Sequence, residues 1–394
     1  MQTKDFDYNL TEELDAPDPL EYHKRLKGKI EVISRAKIET REDLSVAYTP
    51  GVSLPCLEIA NDISKVYDYT RKHNMVAVIT DGSSVLGMGD IGPEASLPVM
   101  EGKCVLFKTF ADVDAFPIAI KTQDVDEFVR TVELISPMFG GINLEDISAP
   151  RCFQIEKKLI EKLDIPIFHD DQHGTSVVIL AGLYNSLKIV GKKIDEVKIV
   201  MNGVGAAGVA TTKLLLEAGA KNISLVDSKG LVCSLRNDLN FAKLELLEED
   251  SIKNECGSLS QVMVGADVFI GVSRPNIVTQ EMIRTMNNDA IVFAMSNPIP
   301  EISRYEAKES GARIVTTGRS DYPNQINNVI AFPGIMRGLL DLRTQITSKM
   351  KLRVARALAD HIKNPTDEEI IPHVLDKDVA GIVAMAIKDE YENR

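Results

Sequence analysis

One stretch constrains this 394-residue chain more than any other: Val197-Lys198-Ile199-Val200-Met201-Asn202-Gly203-Val204-Gly205-Ala206-Ala207-Gly208. A short apolar strand pattern runs into G-x-G-x-x-G, and a helical pattern over 206–218 follows. Glycines at these positions permit a tight turn and close backbone approach, and the new helix points its N-terminus at a pyrophosphate. Asp227 closes the next strand pattern, Ile223-Ser224-Leu225-Val226, where such folds place a carboxylate that accepts hydrogen bonds from ribose hydroxyls. Gly203, Gly205, Ala206, Ala207, Gly208 and Asp227 are therefore the candidate dinucleotide-binding residues. A glycine-rich turn without a ligand is the competing reading, and the strand–turn–helix–strand context argues against it. Asp227 favours NAD by repelling a 2′-phosphate, whereas Ser228 and Lys229 can hold that phosphate. The balance leans slightly to NAD over NADP.

A nucleotide domain does not use the whole length, and a chain of this size exceeds what one hydrophobic core supports. Strand patterns recur at 197–201, 222–226, 267–271, 290–294 and 313–316, with helical stretches at 206–218, 239–247, 279–287 and 302–309. That order predicts a Rossmann-type doubly wound domain. Upstream, apolar runs at 75–80, 104–107, 116–120 and 165–168 read as strands, and 58–72, 124–135 and 152–163 read as helices. They predict a second parallel sheet buried on both faces. A long helix from Thr175 to Ile189 leads from one series to the other, and amphipathic stretches at 335–363 and 378–391 read as packing helices. The expectation is an α/β chain: an N-terminal α/β substrate and metal domain over residues 1–165, then a nucleotide domain with C-terminal helices over 166–394. Residues 1–20 read as an acidic arm.

Charge and cysteine usage exclude several classes. A net charge of −13 argues against nucleic acid, because phosphate contacts need Lys and Arg. No apolar run reaches the roughly 18 residues that span a bilayer, and the polar N-terminus lacks a signal-peptide core. Five scattered cysteines without C-x-x-C support neither a zinc knuckle nor a disulfide framework, and a reducing cytoplasm is the expected compartment.

Two acidic pairs stand upstream of the fingerprint, in Asn143-Leu144-Glu145-Asp146 and in Phe168-His169-Asp170-Asp171-Gln172-His173-Gly174-Thr175. Each follows an apolar run, at the strand end where open α/β sheets place ligands. Adjacent carboxylates repel unless a cation sits between them, and hard oxygen ligands suit Mg²⁺ or Mn²⁺. The alternative is helix capping, which acidic residues after a strand also perform. His169 and His173 read as hydrogen-bonded structural residues rather than ligands.

Longer motifs add to this. Ala47-Tyr48-Thr49-Pro50-Gly51-Val52, Thr80-Asp81-Gly82 through Val85-Leu86-Gly87, Pro98-Val99-Met100-Glu101-Gly102-Lys103, Met295-Ser296-Asn297-Pro298 and Thr317-Gly318-Arg319-Ser320-Asp321-Tyr322-Pro323-Asn324-Gln325-Ile326-Asn327-Asn328 join the two acidic stretches. With them the chain resembles the malic enzymes, in the short form of bacteria and some other microbes, from about residue 20 to 350. The resemblance implies oxidative decarboxylation of (S)-malate to pyruvate and CO₂ with reduction of NAD(P)⁺. It implies Glu145, Asp146 and Asp171 as metal ligands, Lys103 as general base and Tyr48 as general acid. Asn297, Asn327 and Asn328 would contact malate, and Asp170 would support the proton transfers. A homodimer or larger assembly is the family habit.

On residue type alone Lys103 reads as an exposed lysine at a helix start, Tyr48 as a buried core tyrosine, and the asparagines as caps or turn residues. A lysine base near neutral pH must titrate about three pH units below its free value of roughly 10.4, a shift that burial and a nearby dication can supply. One position departs from the family. Larger members carry an arginine after Thr-Asp-Gly to grip a malate carboxylate, and Ser84 stands there in this chain. Ser84 itself, or a cation elsewhere such as Arg319, is the candidate replacement. The rival functions are a metal-dependent hydroxyacid dehydrogenase that does not decarboxylate, and a nucleotide-binding regulatory module that has lost the chemistry. A regulatory module has no need for all of Tyr48, Lys103, Glu145, Asp146 and Asp171.

Overall fold

The computed structural model describes residues 18–393, so the acidic arm expected over residues 1–20 lies almost wholly outside them. The first sheet contains β1 (Met75–Thr80), β2 (Asp114–Ala119), β3 (Gly141–Leu144) and β4 (Ile167–His169). They run parallel in the order β2-β1-β3-β4. Successive residues of a strand face opposite ways, so β1 feeds two cores. Val76 and Val78 join Phe107 and Phe332 on one side; Ala77 and Ile79 join Phe128, Val132, Ile155 and Leu159 on the other. Burial on both faces explains why β1 is continuously apolar.

The second sheet contains β5 (Ile199–Asn202), β6 (Ile223–Asp227), β7 (Gly230–Leu231), β8 (Val268–Gly271), β9 (Ile291–Ala294) and β10 (Ile314–Thr317). Its order is β10-β9-β8-β5-β6-β7, all parallel except the short β7. Strand order reverses at β5, which is flanked by β6 and β8. A doubly wound sheet leaves its ligand crevice there, beyond the carboxyl ends of the strands.

The helix Asp170–Val190 joins the halves. It starts directly after β4, is buried along most of its length, and packs against the helices Ala206–Glu217 and Ser348–His361. One continuous core consequently takes in Val78 and Phe107 of the first half and Ile199, Ile270 and Phe293 of the second.

Four expectations change. Residues 104–107 are not a strand but lie inside the helix Pro93–Ala111, which buries Met100, Lys103, Cys104 and Phe107 at three- and four-residue spacing. A four-residue apolar run cannot by itself distinguish the two. The connecting helix begins at Asp170 rather than Thr175, because acidic residues are favoured in a first turn by the helix dipole. The helix expected over 58–72 breaks into Ser53–Asn61 and Val66–Tyr69, with Asp62 capping the turn between them. Finally, Cys233 and Cys256 form a disulfide, with Cα atoms 5.4 Å apart. Leu231 N donates to Gly257 O at 2.9 Å, and this main-chain pairing, invisible to a motif search, brings the two segments together. The bond removes the cysteine argument for a reducing compartment. Among the described residues no helix is long and apolar enough to cross a membrane.

Candidate active site

A turn at the end of β1 organises the acidic residues. Gly82 has φ +69°, and a Cβ there would lie 2.2 Å from Gly92 O, so only glycine fits. Asp81 Oδ1 accepts hydrogen bonds from Ser83 N at 3.0 Å and Ser83 Oγ at 2.5 Å, while Arg151 Nη1 donates to Asp81 Oδ2 at 2.8 Å. Ser84 N then donates to Asp146 O at 3.0 Å. Asp146 itself sits in the left-handed region, φ +55°, a conformation that costs a non-glycine residue roughly 1–2 kcal/mol. The backbone bond from Ser84 and another from Asp146 N to Asp171 Oδ2, at 2.8 Å, hold it there.

In consequence Glu145, Asp146 and Asp171 present oxygens that all lie within 4.8 Å of one another. The metal-free cluster is electrostatically uncomfortable. Burial, with repulsion from the neighbouring carboxylates, pushes Glu145 up to about 7, Asp146 up to about 9 and Asp171 up to about 6. Asp146 Oδ2 is buried without a hydrogen-bond donor. A divalent cation answers both deficits, and three hard oxygen donors fit Mg²⁺ or Mn²⁺. The histidines stay outside this set. Burial pushes His169 down to about 4, and His173 Nε2 pairs with Glu156 Oε1 at 2.6 Å.

Lys103 projects from the middle of the helix Pro93–Ala111, not from a helix start, and is buried. Its Nζ donates to Asp170 Oδ2 at 2.5 Å, lies 3.1 Å from Glu145 Oε1, and stands 4.2 Å from the centre of the Phe332 ring. Burial works to lower its pKa, but Asp170 and Glu145 outweigh it and hold the ammonium above its ordinary range. That is opposite to the direction a neutral base needs. Only if these two carboxylates give up part of their charge to a cation or a proton does their hold on the Lys103 proton weaken. Burial, opposed by Lys103, pushes Asp170 up to about 7, within range of such an exchange. Asp170 also explains Gly174, since a Cβ there would lie 1.8 Å from Asp170 Oδ1. Gly174→Ala is expected to displace Asp170 and lower kcat at least about tenfold with a smaller change in KM, measured by initial rates.

The asparagines approach from the second half. Asn328 reaches the first turn of the helix Asp170–Val190, its Cβ 3.2 Å from the position a Gly174 Cβ would take. Asn327 Oδ1 accepts from Val329 N at 3.0 Å, the capping role residue type alone suggested, and its Nδ2 stays outside the hydrogen bonds of the described residues. Asn297 follows β9 and packs against Gly318, where a Cβ would lie 2.4 Å from its Nδ2. Ser84 is exposed at the turn, and Arg319 forks onto Asp321 with 2.9 and 2.7 Å contacts. Tyr48 is neither a core residue nor part of the cluster: it is 67% exposed.

At the fingerprint, Gly203 N donates to Val226 O at 2.8 Å and Gly203 has φ +105°. A Cβ on Gly208 would lie 1.7 Å from Gly203 O, so this glycine allows helix and strand to close on each other. A Cβ on Gly205 would meet nothing within 4 Å, which leaves open space at the start of the helix Ala206–Glu217. A pyrophosphate fits there. Asp227 differs from expectation. Its carboxylate is occupied by Arg236 and Lys243 rather than left open for ribose.

Sequence reading passed over Arg151, Gly174, Phe332 and Glu301. Glu301 is fully buried and accepts from Ser273 N and Ser296 N, both at 2.9 Å, tying the ends of β8 and β9 together. Arg151, Phe332 and Glu301 stand in no pattern that marks a site, and only contacts between distant segments single them out; Gly174 lies in the second acidic stretch and is singled out by its fit against Asp170, four residues before it.

Two family models match the chain: "Malic enzyme, N-terminal domain" over residues 27–160 and "Malic enzyme, NAD binding domain" over residues 172–391. The chain belongs to the malic enzyme family. Among malic enzymes it is 53% identical to the bifunctional malic/malolactic enzyme of Bacillus subtilis, over 94% of this chain and 91% of that one. It is 54% identical to the NAD-dependent malic enzyme of Geobacillus stearothermophilus, over 91% of this chain and 76% of that one. The NADP-dependent malic enzyme of Halomonas elongata is 46% identical over 91% and 85%. The crystal structure of the NAD-dependent malic enzyme of Thermotoga maritima aligns with a TM-score of 0.91 at 48% identity, over 94% of this chain and 99% of that one. Malic enzymes named for either nicotinamide cofactor thus stand close to this chain.

Proposed function

We propose that the chain oxidatively decarboxylates (S)-malate to pyruvate and CO₂ while reducing NAD(P)⁺, with Glu145, Asp146 and Asp171 holding Mg²⁺ or Mn²⁺. The observation that carries this reading is Lys103, buried and in contact with both Asp170 and Glu145, beside three converging carboxylates. When bound, the cation would supply Lewis-acid polarisation of the malate C2 oxygen and the nicotinamide would supply the hydride acceptor. Lys103 Nζ takes the C2 hydroxyl proton, and Asp170 Oδ2, in hydrogen-bond contact with it, relays protons to and from the amine. Amide groups of Asn297, Asn327 and Asn328 orient the malate carboxylates. Tyr48, on the exposed face of its own subunit, is assigned the return of a proton to C3 after CO₂ has left, a role it can take only once that face is covered by a second copy of the chain. One proton is taken at Lys103 and one is given at C3, so the reaction as a whole neither consumes nor releases one.

Malate carries two carboxylates, and Ser84 supplies no charge for the second. Arg319, on the loop after β10, is the cation we assign to it, recruited from its pairing with Asp321. Arg319→Ala is expected to raise KM for malate about tenfold or more, and an unchanged KM removes Arg319 from this role.

No residue between 18 and 73 is buried, although Val32, Ile33, Val46, Leu54 and Leu57 lie there. We read this apolar surface, with Tyr48 on it, as the face covered in a homodimer. Light scattering behind gel filtration should give twice the chain mass.

Parallel measurement of CO₂ and NAD(P)H from malate tests the reaction. Equal amounts are expected, and NAD(P)H without CO₂ would instead mark a non-decarboxylating hydroxyacid dehydrogenase. The Bacillus subtilis relative is named for malolactic activity too, so lactate belongs among the products assayed.

A further inference from the structure

The loops that follow β8 and β9 both border the site described above, and one buried carboxylate joins them. Glu301 Oε1 accepts from Ser273 N and Oε2 from Ser296 N, each at 2.9 Å. The main chain repeats the connection: Asn276 N donates to Pro300 O at 3.1 Å and Val278 N to Glu301 O at 3.0 Å. Neither loop can shift far without moving the other. The carboxyl group also packs against the last residue of β8, because a Cβ on Gly271 would lie 2.6 Å from Glu301 Cδ and 2.7 Å from Oε1.

Each loop leads to a different ligand. On one side Ser273 leans on the glycine turn. Asn202 Nδ2 donates to Ser273 Oγ at 2.6 Å, and Val272 N donates to Asn202 O at 2.9 Å. A Cβ on Gly203 would lie 2.6 Å from Val272 O and 3.0 Å from Ser273 Cβ, so this loop forms a wall of the dinucleotide crevice. On the other side Ser296 directly precedes Asn297. The Asn297 side chain packs on Gly318, and its main-chain oxygen would lie 2.3 Å from a Cβ on Gly87, close after Ser84 in the first half. One oxygen of Glu301 therefore fixes the cofactor side and the other the malate side.

We infer that Glu301 is a positioning residue that holds the dinucleotide and malate subsites in register, so that disturbing its carboxylate weakens the binding of both ligands. The inference rests on the assignment of the Gly203 turn to NAD(P)⁺ and of Asn297 to malate. A carboxylate accepts on both oxygens, whereas a glutamine amide accepts on one and would turn N–H against N–H at the other. A loop released in this way must be ordered by its ligand, at the expense of affinity. The main-chain bonds between the loops carry that release from one subsite to the other.

Initial rates with malate and NAD(P)⁺ varied in turn test this in two unrelated variants. Glu301→Gln removes one acceptor. Gly271→Ala keeps the carboxylate and pushes it off its donors, so a folding defect in either variant leaves the other to decide. In each, KM for malate and KM for NAD(P)⁺ should rise together by about tenfold, the worth of one hydrogen bond to a charged group, with a smaller fall in kcat. A merely structural role would lower the melting temperature and the active fraction but leave both KM values as in the wild type. That result, or a rise confined to one ligand, would overturn the inference. A wild-type chain that forms no NAD(P)H with malate would instead overturn the site assignment beneath it.

Discussion

Replacing Lys103 with alanine is expected to lower kcat for malate oxidation by about 10²–10⁴-fold, the range spanned by a positioned general base. The loss should be undiminished in Lys103→Arg. Arginine keeps the positive charge that Asp170 and Glu145 surround, yet it does not deprotonate in a protein and so cannot take the C2 hydroxyl proton. The pair of variants separates chemistry from structure. Alanine also strips two buried carboxylates of their cation, which costs several kcal/mol and lowers thermal stability. Arginine retains that compensation, so its inactivity can be assigned to the missing base. A Lys103→Arg enzyme with more than about a tenth of the wild-type kcat would remove Lys103 from the proton transfer.

The second large effect concerns the acidic triad without metal. Below about pH 4 its carboxyls are protonated in both folded and unfolded protein. As pH rises past that point the unfolded chain releases these protons, while the folded chain keeps them until about 6 for Asp171, 7 for Glu145 and 9 for Asp146. The folded state then holds more protons, so folding stability falls with rising pH across this window. Lys103 adds no slope there, because it is charged in both states. Chelator-treated protein should accordingly melt lower at about pH 8 than at about pH 6. Mn²⁺ should raise the melting temperature more at the higher pH, where fewer protons compete for the ligands. Asp171→Asn removes one of the repelling charges. It should raise the metal-free melting temperature by roughly 2–4 °C, abolish the Mn²⁺ shift, and lower kcat/KM about 10³-fold or more. A melting temperature of the metal-free wild type that climbs with pH would contradict the triad's electrostatics.

The positions hardest to read from sequence share a physical cause. The fingerprint, the strands of the second sheet and both acidic pairs follow from local rules, namely glycine turns, apolar runs and strand ends. Which of Asp170 and Asp171 joins the metal set is not local. It depends on the helix beginning at Asp170, which turns Asp171 toward Asp146 and Asp170 toward Lys103. Cys104 to Phe107 is apolar as a strand would be, and only packing of the helix against β1 and Phe332 decides otherwise. The Cys233–Cys256 bond and the Arg236 clamp on Asp227 both join segments that a loop brings back, and spacing says nothing of either. Tyr48 follows the same logic. Its residue type suggested a core, whereas no residue around it is buried.

The most direct test of the central claim is a Mn²⁺ titration of chelator-treated enzyme, with NAD(P)H formation from malate as the readout. The account predicts no measurable rate before metal is added, a saturable return as it is added, and no return at any concentration in Glu145→Gln, Asp146→Asn or Asp171→Asn. A metal-free enzyme that oxidises malate at the full rate, or a triad variant that recovers it, would contradict the account.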